Sequence, residues 1–110
     1  MIVATPVDAQ GNSAGSWGRA PLVAVAEVDA DGAIAAWAVH EVGWDALHDS
    51  GTHGSHHARV ASFLRDHGVQ AVVVDHVGPG MVRMLDTLGI AILGATPGDA
   101  HASVRGAVST

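Results

Sequence analysis

His53-Gly54-Ser55-His56-His57 places three imidazoles at i, i+3 and i+4. If a helix begins there, side chains at this spacing share one face and can reach a common object. His48 precedes the run and His76 closes a distant apolar segment, so five of the eight histidines could converge. Imidazole is the commonest metal ligand among side chains and changes charge near neutral pH. The pattern predicts a metal or metal-cluster site built from His48, His53, His56, His57 and His76. Neutral imidazoles would suit zinc, copper, nickel or iron. Asp49 and Asp75 are placed to accept the second N–H of such rings and set their orientation. His40, His67 and His101 read as ordinary surface histidines.

Other residue types support the same region. Gly51, Gly54, Gly78 and Gly80 flank two expected helix starts, where backbone N–H groups favour anions. Arg19, Gly54, Ser55 and Gly78 are the expected cradle for an oxyanion or thiometallate. Thioethers of Met81 and Met84 would suit copper(I), although filling gaps in a core is the more ordinary role. Trp17 and Trp44 fall in loops where they could wall a crevice, and Trp37 reads as packing within a strand.

Composition narrows the chemistry. With 110 residues and an apolar fraction of 48%, the chain is expected to form one domain, residues 1–110, with a real core. The absence of cysteine excludes disulfides, a thiolate nucleophile and a cysteine-ligated iron–sulfur cluster. A metal must then be held by nitrogen, oxygen or thioether, or arrive inside a preformed metal–sulfur cluster. The net charge of −6, without a single lysine, argues against nucleic-acid binding. No apolar run approaches the roughly 18 residues of a membrane helix. The N-terminus lacks the basic and apolar regions of a signal peptide, so a cytoplasmic location is expected.

The elements that must position these residues follow from periodicity. Strands are expected at Ile2 to Val7, Leu22 to Val28 and Ala33 to Val39, the last two joined by an Asp/Gly turn at Asp29–Gly32. Residues 8–21 form a Gly-rich loop, and residues 40–52 a polar connection. A helix follows from about His53 to His67, stopped by Gly68. Val69 to Val74 reads as a parallel strand buried on both faces. A helix from Pro79 through Leu88, a short strand at Ile90 to Leu93, and a final helix complete the chain. Thr96 is the expected cap of that last helix, with Pro97 at its first position, and the helix runs to about Val108. The order β-β-β-α-β-α-β-α predicts a five-stranded mixed α/β sheet flanked by helices, with right-handed crossovers in its parallel part. Ligands of such sheets bind outside the carboxyl ends of the strands.

Several motifs in this order resemble the family of nitrogenase iron–molybdenum cofactor biosynthesis accessory proteins. They are Ile2-Val-Ala-Thr-Pro-Val-Asp8, Gly18-Arg-Ala-Pro21, His53-Gly54, Val77-Gly-Pro-Gly80, Leu88-Gly-Ile90 and Leu93-Gly-Ala95. The family includes NifX-like proteins, domains like the NifB C-terminus, and molybdenum–copper cluster proteins. The resemblance covers nearly the whole chain and implies a ribonuclease-H-like fold and a cofactor-carrying role. Members often carry His-Phe before Gly-Arg-Ala-Pro, where this chain has Ser16-Trp17. The additional histidines at 48, 56, 57 and 76 also depart from the pattern and favour a plain metal ion.

The leading expectation is a non-catalytic binding protein: a carrier, chaperone or sensor of a transition metal ion or preformed cluster, with a protein recipient for the metal. One alternative is a metal-dependent hydrolase or nuclease using Asp8 and Asp75 at the ends of neighbouring strands. The other is an interaction module, with a homodimer as one form, in which the histidines are incidental.

Overall fold

The computed structural model describes residues 1–47 and 53–109, the side chain of His53 excepted. Nine elements follow in chain order: β1 (Ile2–Val7), β2 (Leu22–Val28), β3 (Ile34–Glu41), α1 (Trp44–Leu47), α2 (His53–Asp66), β4 (Ala71–Val74), α3 (Pro79–Thr87), β5 (Ala91–Gly94) and α4 (Ala100–Val108). The five strands form one sheet in the order β3-β2-β1-β4-β5. Strands β1, β2 and β3 pair antiparallel in sequence, whereas β4 lies parallel to both β1 and β5. The mixed α/β sheet is as the sequence predicts. No helix among the described residues is long and apolar enough to cross a membrane.

Alternation along the strands divides the core between two faces. Ala4, Val23, Val72 and Val74 pack beneath Val60 and Leu64 of α2 and Met81 and Leu85 of α3. Val3, Ala26, Ala71 and Val73 pack on the other face against Val104 of α4. Every residue of β4 is buried, which explains why its sequence reads as a continuous apolar run rather than an alternating one. Small alanines at alternate positions let the helices approach closely. Thr5 is buried in this setting because its hydroxyl donates to the Val73 carbonyl at 2.7 Å.

Two local expectations are corrected. The 40–52 connection contains a short helix, α1, which tertiary contacts hold in place. Gly43 and Trp44 donate their N–H groups to the carbonyls of Pro21 and Ala20, and the Trp44 side chain is buried. At α4 the cap is Asp99, whose carboxylate accepts from the Ala102 N–H at 2.9 Å. The Thr96 N–H donates instead to the Ser103 hydroxyl. A carboxylate within reach of the first free amides outcompetes an upstream threonine for that role.

Candidate functional site

The carboxyl ends of β1 and β4 both lead to one edge of the sheet, and the loops leaving them meet there. Ser16 pairs with His76 in a parallel bridge, and the Trp17 N–H donates to the His76 carbonyl at 3.1 Å. This bridge brings the end of the Gly-rich loop beside the strand end that leads into α3. The N-terminal turn of α2 closes the third side. The resulting cavity, of about 290 Å³, is lined by Trp17, Gly18, His56, His57, Gly78, Pro79, Gly80 and Met81.

Two glycines make the close approach possible. Gly18 has φ +83°, and a Cβ there would stand 3.2 Å from the Met81 methyl carbon. At Gly80 a Cβ would lie 3.0 Å from Cε1 of His57. Any side chain on Gly80 would therefore press the His57 imidazole in the cavity wall.

His56 and His57 play different parts. His56 is only 3% exposed, with Nε2 2.7 Å from the Gly18 carbonyl and Nδ1 3.0 Å from a guanidinium nitrogen of Arg59. A carbonyl can only accept and a guanidinium can only donate, so the proton sits on Nε2. The ring acts as a strut between α2 and the Gly-rich loop, and metal ligation by it would break one of these bonds. His57 is half-buried, stands against Gly80 and lines the cavity.

Hydrogen-bond donors belong to the residues that line the cavity. Trp17 is 4% exposed, and its indole N–H is buried without a hydrogen-bond partner among the described residues. Gly78 caps α3 without a side-chain hydrogen bond, and Pro79 follows in the first turn. Gly80 and Met81 in that turn present N–H groups that helix geometry leaves without intrahelical acceptors. The helix dipole adds positive potential at the same place. This set suits a guest rich in acceptor atoms and negative charge.

Of the predicted residues, the fold brings His56, His57 and Gly78 to the cavity, with Trp17 in its wall. Trp44 stands behind Trp17, ring centres 5.2 Å apart and edge to face, instead of facing the cavity. His76 contributes its carbonyl to Trp17 while its side chain is exposed. Arg19, Gly54, Ser55 and Asp75 are also exposed and do not line the cavity. His48 and Asp49 lie outside the described residues, as does the side chain of His53. Among the described residues, no group of three or more His, Cys, Asp or Glu side chains could hold a metal ion. Met81 lines the cavity from the core, and Trp37 stacks on His101 at 3.8 Å on the far face of the sheet. Sequence reading treated Trp17 as a wall and missed its unpaired donor, for which no local signal exists. It also missed Arg59, although its spacing of three from His56 on a helix was visible.

Solved structures of low sequence identity share this fold. The crystal structure of PH0822 matches with a TM-score of 0.76 at 20% identity, over 99% of this chain and 91% of that one. The apo form of the orange protein from Desulfovibrio gigas matches with a TM-score of 0.69 at 24% identity, over 98% and 83%. The NMR structure of TM1290 from Thermotoga, described as a candidate NifB protein of the DUF35 family, gives 0.71 at 20% identity, over 98% and 86%. None of the curated proteins matches the chain. The family model for dinitrogenase iron-molybdenum cofactor proteins matches residues 1–109, almost the full length. The chain belongs to the dinitrogenase iron-molybdenum cofactor family.

Proposed function

We propose that the protein is a non-catalytic, cytoplasmic carrier that holds an anionic metallocluster as cargo in the cavity between Trp17, His57 and Gly80 and passes it to a protein recipient. The Trp17 indole carries this reading, as a buried donor without an acceptor among the described residues, in the wall of a cavity. Leaving such a donor unpaired costs about 1–3 kcal/mol. A sulfide or oxo atom of a cluster would accept from it and recover that energy. The N–H groups of Gly80 and Met81 would donate to the same guest at the positive end of α3. Imidazole from His57 is the protein ligand we assign to a cluster metal.

A preformed metal–sulfur cluster suits the site better than a bare ion. A cluster brings its own bridging ligands and needs few from the protein. Without cysteine the chain cannot assemble an iron–sulfur core on thiolates, which suits transport of a finished one. The family name points to the same cargo class. The strand order β3-β2-β1-β4-β5 also supports the ribonuclease-H-like description of the fold. Hydrolase chemistry fits less well, because one Asp8 carboxylate oxygen accepts from Gln10 and Asn12, both at 2.9 Å, and so holds a turn.

The test is titration of untagged protein with tetrathiomolybdate, followed by visible absorption and tryptophan fluorescence. Stoichiometric uptake with a change in indole emission is expected, and Gly80→Leu should fold yet bind the cargo far more weakly. Uptake unaffected by Gly80→Leu would reject the cavity. Failure of the wild-type chain to bind either tetrathiomolybdate or an iron–molybdenum–sulfur cluster would reject the carrier role.

A further inference from the structure

His40 on β3 and His67, one residue beyond the end of α2, bring their rings to a centre separation of 4.5 Å with 51° between the planes. Both residues are half-buried. Phe63 backs the pair, 4.5 Å from His67 and 5.6 Å from His40, and itself packs edge-on against the buried Trp44 at 5.5 Å. Two surface hollows, of about 350 and 410 Å³, each have both histidines in their walls, so the rings are reached by solvent from two directions. Neither imidazole has a hydrogen-bond partner among the described residues, unlike His56.

We propose that His40 and His67 form a second metal site, separate from the cavity, for a late divalent transition metal ion. Nitrogen lies about 1.1 Å from an imidazole centre and about 2.1 Å from a bound ion, so each ring centre sits roughly 3.2 Å from the metal. Two rings at about 90° on one ion are then roughly 4.5 Å apart, and at the tetrahedral angle roughly 5.2 Å apart. The observed 4.5 Å is short enough for both rings to reach one ion. Copper(II) and nickel(II) are the ions of choice for such an imidazole pair, since affinity rises towards copper(II) along the series. Packing explains why Phe63 is here, but gives no reason for two basic rings side by side with unpaired nitrogens. Among the described residues no third His, Cys, Asp or Glu joins them. Water completes the coordination sphere, and the ion exchanges readily. The site depends on nothing assigned to the cavity.

The experiment is a copper(II) titration of isotope-labelled full-length protein, reading which amide signals broaden at substoichiometric metal, with nickel(II) affinities by calorimetry. Broadening is expected first at residues 37–41 and 63–68. His40→Gln and His67→Gln should each weaken nickel(II) binding about tenfold or more, and the double variant little further, because one imidazole alone cannot chelate. His101→Gln should leave that affinity unchanged. Broadening confined to residues 16–19, 54–57 and 78–81, or nickel(II) affinity unmoved by either glutamine, would overturn the site. The broadening map of the wild-type chain decides the matter even where a variant misfolds.

Discussion

The two ends of α2 carry histidines in contrasting settings. At the N-terminal end the helix lies against the Gly-rich loop, and His56 is buried with Gly18 and Arg59 on its two ring nitrogens. His57, next in sequence, meets α3 and the cavity, since consecutive helical residues do not share a face. At the C-terminal end the helix overhangs the β2–β3 hairpin, whose outer strand is a sheet edge. There His67 meets His40 with no described hydrogen bond to either ring. Burial forces a polar ring to find protein partners, whereas partial exposure leaves nitrogens for a ligand from solution. A histidine's freedom to take a partner from solution therefore depends on what its end of the helix packs against, not on how many histidines lie nearby in sequence.

Variants at the N-terminal end should separate binding from stability. The largest effect is expected for Gly80→Leu, which should lower cargo affinity by about a hundredfold while stability stays within about 1 kcal/mol, since a helical glycine gains propensity on substitution. Absorption titration and urea unfolding check the two halves. Next, His56→Ala should destabilise the fold by about 2–3 kcal/mol, because the Gly18 carbonyl and the Arg59 guanidinium both lose a partner. His57→Ala should shift stability by less than about 0.5 kcal/mol, yet weaken cargo binding about tenfold or more. Equal stability losses for the two alanine variants would dissolve the contrast between strut and ligand. Trp17→Phe removes the unpaired donor but also ring volume, so the unfolding free energy should move by no more than about 1.5 kcal/mol. Its cargo affinity should fall about fivefold to tenfold, the net share of one ordinary hydrogen bond. The smallest effect belongs to Thr5→Val, remote from both ends. It should cost about 1 kcal/mol through the lost bond to Val73, with cargo affinity unchanged.

Much of the fold was readable from local pattern. The strands at Ile2–Val7 and Leu22–Val28, the helix start at His53 and the Pro79 helix start all fall where periodicity and punctuation predict. Helix α1 was not readable, because four residues carry no period and the turn depends on bonds to Ala20 and Pro21. The candidate site was legible in part. Spacing located the start of α2 and the Gly78–Gly80 turn, but it treated His53, His56 and His57 as equivalent. It also set aside His40 and His67, although Phe63 and His67 at i and i+4 already promised a ring contact.

The sequence by itself determined the α/β class, the cysteine-free chemistry and the order in which strands and helices follow one another. These follow from composition, from side-chain period and from the handedness of crossovers, all of which act within a few residues or on every chain alike. Only the tertiary structure decided which histidine is a strut and which faces the cavity. The His56–Gly18 bond spans 38 residues, and the Trp17–His76 bond joins loops from opposite halves of the chain. The direction of a side chain at such a junction depends on how whole elements pack, and no short-range pattern encodes it.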